Sequence, residues 1–287
     1  MRYLKFLKTI KEEFPLLYLK TNENLNGSNE LVRENSLIRK KKFTSDGYFH
    51  EQSALIQYQT EITSLANLVE RLNALGIPPV FIFYTDFAWV AFQSMNDLLA
   101  ESLGDFMFLS EFWAWHIDPK ENQAGWAPHR DKEGRKGLFD DNSTKSLTCW
   151  IPLTEANPLN GCIYVVPKQH DLNYGIEDAE GAHIDLPSIR ALPAKPGDVI
   201  IWDSTVFHWG AQSSEFAENP RLSMALEVQS NKVPPFNPPL IAPNELIEDS
   251  VRLKLIGKQM LQYKQWHTLT DEQEQSAIHL LNHGTLG

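Results

Sequence analysis

Pro196-Gly-Asp-Val-Ile-Ile-Trp-Asp-Ser-Thr-Val-Phe-His-Trp-Gly210 reads as a Pro-Gly turn feeding an apolar strand, a polar break, and a second short strand that carries a histidine. Four further stretches share this texture: FMFLSEFWAWHI (106–117), SLTCWIPL (146–153), GCIYVVP (161–167) and RLSMALEVQ (221–229). Glycine or proline lies between most of them, the pattern of an all-β sandwich or barrel. Upstream, Glu51–Leu75 places apolar residues at helical spacings and stops at Gly76 before Pro78-Pro79. Pro79 then leads into VFIFYTDFAWVAF, whose aromatic and β-branched density predicts a strand. Residues 3–13 have mixed helical periodicity, and Asn22–Asn29 reads as a loop. Downstream of a proline-rich crossing (Pro234, Pro235, Pro238, Pro239, Pro243), residues 244–265 return to helix. Thr270-Asp-Glu-Gln273 has the form of a capping box opening a last helix that ends at Gly284.

The chain of 287 residues has no Ser/Gly-rich linker, low-complexity tract or repeat. One domain over 1–287 is therefore expected, with a mainly helical part at 1–105, a β core at 106–230 and a C-terminal helical extension at 231–287. No run of roughly 18 apolar residues occurs, so no membrane span is expected. The first eight residues interrupt their apolar positions with lysines, unlike a secretory signal. The two cysteines, Cys149 and Cys162, fall in strand-like segments, which argues against a disulfide framework or cysteine-rich zinc site and for a reducing, cytoplasmic setting.

Charge is uneven. Residues 1–42 hold ten Lys/Arg against five Asp/Glu, including Arg39-Lys-Lys-Lys42, while the remainder holds sixteen against thirty-two. An acidic body repels polyanions, so a nucleic-acid substrate is disfavoured. The basic run reads as a solvated face.

Chemistry concentrates in Gly125-Trp-Ala-Pro-His129-Arg-Asp131. On a strand, residues two apart share a face, so His129 and Asp131 can point inward together. With His208 they supply two neutral nitrogens and one anionic oxygen, a facial set that suits iron(II) and leaves positions open. A bare His-x-Asp is common, and a hydrogen-bonded loop histidine is its bland reading. In Asn219-Pro-Arg221-Leu-Ser223-Met-Ala-Leu-Glu-Val228, Arg221 and Ser223 share a face opposite Leu222, Met224, Leu226 and Val228. An inward arginine needs an anion: either an acidic side chain in a salt bridge, or a ligand carboxylate such as the distal one of 2-oxoglutarate, with Ser223 as a second donor.

Together these residues resemble the phytanoyl-CoA dioxygenase-like group of iron(II)/2-oxoglutarate oxygenases. The likeness is carried by Pro128-His-Arg-Asp131, by Leu147-Thr-Cys-Trp-Ile-Pro-Leu153 and by Asn160-Gly-Cys-Ile-Tyr-Val-Val-Pro-Lys-Gln-His170. It continues through Pro196–Trp202, His208-Trp-Gly210 and Arg221-Leu-Ser223, and spans about residues 43–230. It implies a double-stranded β-helix (jelly-roll, cupin-like) core with helical flanks, the metal at the barrel mouth and Trp150 lining the co-substrate pocket. The interval from His208 to Arg221 is longer than usual for the group, whose members often carry Ser where Gly210 stands.

The resemblance further implies that iron(II), 2-oxoglutarate and O2 together oxidise a C–H bond, releasing succinate and CO2. Asp131 stands where related halogenases have a small residue, so hydroxylation, desaturation, cyclisation or demethylation is expected instead. Lys132–Ser146 (KEGRKGLFDDNSTKS) reads as a lid or as a surface loop, with Arg135 and Phe139 as candidate substrate contacts beside Trp115. His116 follows two tryptophans in alternation, and its facing depends on register. His170 reads as structural, and His279 and His283 as a surface pair. The acidic body favours a small molecule, such as an amino acid or secondary metabolite. Three alternatives remain: a cupin-like metal-binding sensor without turnover, an oxygenase of protein or nucleic acid, and a zinc hydrolase. The last would want a general-base carboxylate that the sequence does not point to.

Overall fold

The computed structural model describes residues 2–18, 36–176 and 185–286. The predicted loop at Asn22–Asn29 lies outside them. Among the described residues, eight antiparallel strands build two sheets: β1 (Tyr48–Glu51), β2 (Phe106–Ile117), β3 (Ser146–Pro152), β4 (Ile163–Val166), β5 (Arg190–Leu192), β6 (Val199–Asp203), β7 (Phe207–Gly210) and β8 (Arg221–Ser230). The larger sheet runs β1-β6-β3-β8-β2 and the smaller β5-β4-β7, a jelly-roll arrangement of facing sheets. One strand of the larger sheet comes from the part of the chain expected to be helical: β1 closes its edge, pairing Tyr48 with Trp202.

Alternation divides each strand of the larger sheet between two cores. Leu147, Cys149 and Ile151 of β3, Val199 and Ile201 of β6, and Leu222, Met224, Leu226 and Val228 of β8 face the helices. Trp150, Ile200, Trp202 and Ala225 face the small sheet, where Ile163, Val165 and Leu192 meet them. Because the side-chain period is two, β8 necessarily turns Arg221, Ser223, Ala225 and Glu227 inward together.

The helical layer contains α1 (Arg2–Glu13), α2 (Ser36–Asp46), α3 (Gln59–Ala74), α4 (Asp86–Gln93), α5 (Asn96–Leu103), α6 (Asp249–Gln262) and α7 (Asp271–His283). The segment expected as a strand after Pro79 is instead a 3-10 helix, Pro79–Tyr84, followed by α4. Val80 through Phe83 have no exposed surface, and every residue of α4 from Phe87 to Gln93 is buried. When all faces of a helix are covered, apolar residues occupy every position and the helical period disappears from the sequence.

The capping box forms as expected. The Thr270 hydroxyl accepts from the Gln273 amide, the Gln273 side chain accepts from the Thr270 amide, and Gly284 closes α7 in the left-handed region at φ 64°. In α6, Gly257 lies against α7 so closely that an added Cβ would sit 2.5 Å from the Ala277 carbonyl oxygen. The basic run is not wholly a solvated face. Lys40, Lys41 and Lys42 are exposed, but Arg39 is buried between Glu51 and Glu101, bridging α2, β1 and α5. Among the described residues, no helix is long and apolar enough to cross a membrane.

Candidate active site

The segment expected to form a strand around His129 does not extend a ladder. It touches β7 through a bridge in which the amides of His129 and His208 each donate to the other's carbonyl at 3.0 Å, and through the Gly210 amide, which donates to the Trp126 carbonyl at 3.2 Å. Locally the chain is still extended, and His129 and Asp131 do share a side.

Their donor atoms converge with that of His208 to within 4.8 Å of one another. Each imidazole is oriented from behind: His129 Nδ1 lies 2.7 Å from the Ala127 carbonyl, and His208 Nδ1 lies 3.0 Å from that of Val206. A carbonyl can only accept, so Nδ1 carries the proton and Nε2 keeps its lone pair. Both Nε2 atoms turn to the same oxygen, Oδ1 of Asp131, at 3.4 and 3.6 Å. The other oxygen, Oδ2, accepts from Thr148 Oγ1 at 2.6 Å and from Trp202 Nε1 at 3.0 Å. Burial alone would raise the Asp131 pKa. The positive charge that the adjacent His208 and His129 carry once protonated, with the hydrogen bond from Thr148, outweighs it and holds the carboxyl well below its ordinary range. Burial pushes His208 down to about 4, so it is a neutral donor near pH 7. Two lone pairs and a carboxylate oxygen aimed at one point fit a divalent metal.

The residues flanking the ligands pin this loop. Arg130 Nη1 donates to Asp171 Oδ2 at 2.6 Å and to the Thr205 carbonyl at 2.7 Å. Lys132 Nζ donates to Glu227 Oε2 at 2.7 Å and Glu111 Oε2 at 3.0 Å. Candidate ligand and anchor thus alternate along His129-Arg130-Asp131-Lys132.

Beyond the histidines a cavity runs to Arg221. This guanidinium is 1% exposed and donates to Ser223 Oγ at 2.7 Å. Among the described residues no carboxylate pairs with it, and its Nε has no hydrogen-bond partner. Burial lowers its pKa to about 10, which still leaves it charged. The salt-bridge reading of Arg221 therefore finds no support, and a buried cation without a counter-ion is one that an anion would compensate. Trp150 lies beside it, with the guanidinium 5.9 Å from its ring centre and its own buried Nε1 unpartnered. Gly125 and Gly210 face each other across the approach. A Cβ on Gly210 would lie 2.7 Å from Gly125 Cα and 3.3 Å from Arg221 Nη2. That cradle has the room and charge for one end of a dicarboxylate.

A family profile described as Phytanoyl-CoA dioxygenase (PhyH) matches residues 43–217, well over half of the chain. The chain belongs to the phytanoyl-CoA dioxygenase family. It is an iron- and 2-oxoglutarate-dependent non-heme dioxygenase. Solved structures repeat the fold. The alpha-ketoglutarate-dependent carbocyclase SnoK from nogalamycin biosynthesis is 14% identical, with 78% of this chain and 100% of that one covered at a TM-score of 0.52. The non-heme monooxygenase ThoJ, as its nickel complex, is 14% identical with 78% and 96% covered at 0.54. HygX from Streptomyces hygroscopicus, with nickel, 2-oxoglutarate and hygromycin B bound, is 12% identical with 71% and 90% covered at 0.51. At such identities the likeness is one of fold. No curated protein matches the chain as a relative.

Within this oxygenase, Trp115 and Trp150 line the cavity. Arg135 and Phe139 do not. The loop that carries them folds on itself, Arg135 donating to Asn142 Oδ1 at 2.6 Å and to the Phe139 carbonyl at 2.9 Å. Its polar side chains are consumed by its own turns rather than turned to the metal. His116 faces away, 3.1 Å from Glu70 of α3. His170 is exposed, and His279 and His283 pair with each other at 4.7 Å on α7.

The sequence reading missed the far wall: Glu111, Trp113, Trp126, Glu227 and Tyr263, with Gln262 and Trp266 at the mouth. Glu227 was legible, since it continues the inward series from Arg221. Glu111 was not. It belongs to a bulge in which Leu109, Ser110 and Glu111 oppose a single residue of β8, and Gln259 of α6 satisfies the freed backbone by accepting from Phe112 N–H and donating to the Ser110 carbonyl.

Proposed function

We propose that His129, Asp131 and His208 hold the iron of this oxygenase, that Arg221 and Ser223 bind the distal carboxylate of 2-oxoglutarate beside Trp150, and that the substrate is a small molecule oxidised at a C–H bond. When bound, iron, 2-oxoglutarate and O2 supply an oxidant strong enough for an unactivated C–H bond, with succinate and CO2 released.

The protein's share is placement. Thr148 and Trp202 orient Asp131, two backbone carbonyls set the histidine tautomers, and Arg130 and Lys132 hold the loop between them. Arg221 selects a co-substrate with an anionic end that reaches past the glycine pair. The observation that carries this reading is the buried, uncompensated Arg221 in the same cavity as the His-Asp-His group. A metal-binding sensor without turnover has no use for it. Asp131 occupies the ligand position fully, which favours oxygenation over halide transfer.

An acidic chain, net −11, supports a small-molecule substrate over nucleic acid or a phosphate-rich CoA ester. Secondary metabolism fits as well, since SnoK is named for nogalamycin biosynthesis and HygX holds hygromycin B. A reducing cytoplasm suits the two buried free thiols.

The test is succinate release from 2-oxoglutarate with iron(II), alone and with a panel of small metabolites. Succinate formation that depends on iron and disappears in Arg221→Ala is expected. Absence of turnover together with absence of 2-oxoglutarate binding in the unaltered protein would overturn the reading.

A further inference from the structure

The end of the cavity away from Arg221 has its own chemistry. Glu111 and Glu227 stand side by side, both held through Oε2 by the one Lys132. Their Oε1 atoms make no hydrogen bond among the described residues, and both side chains line the cavity. Two carboxyl groups thus share one ammonium. Burial pushes the Glu227 pKa well up despite Lys132, as expected of an acid short of positive charge.

The surrounding surface is aromatic. Trp126 lies 4.7 Å from Tyr263 and 6.2 Å from Trp266, and 5.1 Å edge-on from Trp115, so rings wall the passage from the metal group to the mouth. A second space, sharing Glu111, Trp126, His129, Asp131, Glu227 and Tyr263 with the first, opens there. Trp113, 1% exposed and part of the same lining, has an indole N–H with no partner, as do Trp115 and Trp126. Arg130, the other cation at this mouth, is engaged through Nη1 by Asp171 and the Thr205 carbonyl, its Nη2 having no partner among the described residues.

We propose that this chamber receives the substrate and selects a ring that carries a protonated amine and hydroxyl groups. Aromatic faces attract both the C–H face of a saturated ring and a cation. The free Oε1 atoms of Glu111 and Glu227 accept from the ammonium and hydroxyls, while the unpartnered indoles donate to hydroxyl oxygens. A carboxylate or acyl-phosphate substrate would meet repulsion at the same place. Glu227, Tyr263 and Trp266 lie beyond the segment matched to the family, so the C-terminal part of the chain shares in setting this selectivity. The proposal rests on the metal and 2-oxoglutarate assignment only for the substrate's place relative to them.

The experiment uses full-length protein loaded with Mn(II) and 2-oxoglutarate, titrated by tryptophan emission with three matched probes: trans-4-aminocyclohexanol, cyclohexane-1,4-diol and 4-hydroxycyclohexanecarboxylate. The amine is expected to bind about tenfold more tightly than the diol, and the carboxylate more weakly than either. Glu111→Gln should erase the amine's advantage while Mn(II) and 2-oxoglutarate still bind, which also reports that the variant is folded. Equal binding of amine and diol, tighter binding of the carboxylate, no binding of the amine, or an advantage that survives in both Glu111→Gln and Glu227→Gln would overturn the proposal. Failure to load Mn(II) and 2-oxoglutarate in the first place would instead count against the cofactor assignment.

Discussion

Thr148 donates its hydroxyl to Oδ2 of Asp131 at 2.6 Å, and with the Trp202 indole it occupies that oxygen, leaving Oδ1 for the two histidines. In the proposed site, a residue that would touch no metal thereby sets which carboxylate oxygen is left for one. Thr148→Val keeps the shape of this buried position and removes the donor. Metal affinity should fall about tenfold to a hundredfold, read by calorimetric titration of Mn(II). An unchanged affinity would show that Trp202 alone suffices.

Among the described residues Lys132 is the sole cation bridging Glu111 and Glu227, and all three side chains are only 13–14% exposed. Lys132→Met leaves two buried carboxyl groups without compensation. A loss of about 3–5 kcal/mol is expected by urea denaturation, partly recovered when Glu227→Gln is added. Failure of the second change to recover anything would remove the carboxylates as the cause.

Gly210 departs from the serine common in the group, and the reason is Gly125 opposite it. Gly210→Ser would place its Cβ 2.7 Å from the Gly125 backbone and 3.3 Å from Arg221 Nη2, narrowing the approach to the guanidinium. Affinity for 2-oxoglutarate should fall about tenfold, with Mn(II) binding little changed. The same two titrations separate this from general misfolding.

His267 stacks on Trp113 at 4.7 Å, its Nε2 has no hydrogen-bond partner, and burial pushes its pKa down to about 4. The folded chain therefore binds fewer protons here than the unfolded chain between pH 6.5 and 4. Stability contributed by the neutral ring is present above the unfolded value and is lost as pH falls through that window. His267→Phe keeps the stacking and removes the titration. Its stability relative to the unaltered protein should rise by about 2 kcal/mol from pH 7 to pH 4, measured by denaturation at fixed pH values.

Where side-chain alternation governed, the sequence was readable. The β8 series exposes Arg221 and Ser223 on one face in any extended chain, and the capping box at Thr270 is a local signal that needs no tertiary context. The segment after Pro79 was misread because full burial erases the helical period. Arg135 and Phe139 were misplaced because a polar loop can satisfy itself as easily as it can reach a ligand. Glu111 depends on a bulge that Gln259, some 150 residues away, makes tolerable, and Tyr263 reaches the cavity only through the packing of α6 on β2. Those contacts are products of the fold, and local patterns do not announce them.

The central claim is that the His-Asp-His group and Arg221 form one site, and titration of 2-oxoglutarate into the protein with and without Mn(II) tests it most directly. Binding should require the metal, should weaken about a hundredfold in Arg221→Gln with Mn(II) still bound, and should vanish with the metal in the His129→Ala, His208→Ala double variant. Metal-independent binding, or an affinity untouched by Arg221→Gln, would contradict the account.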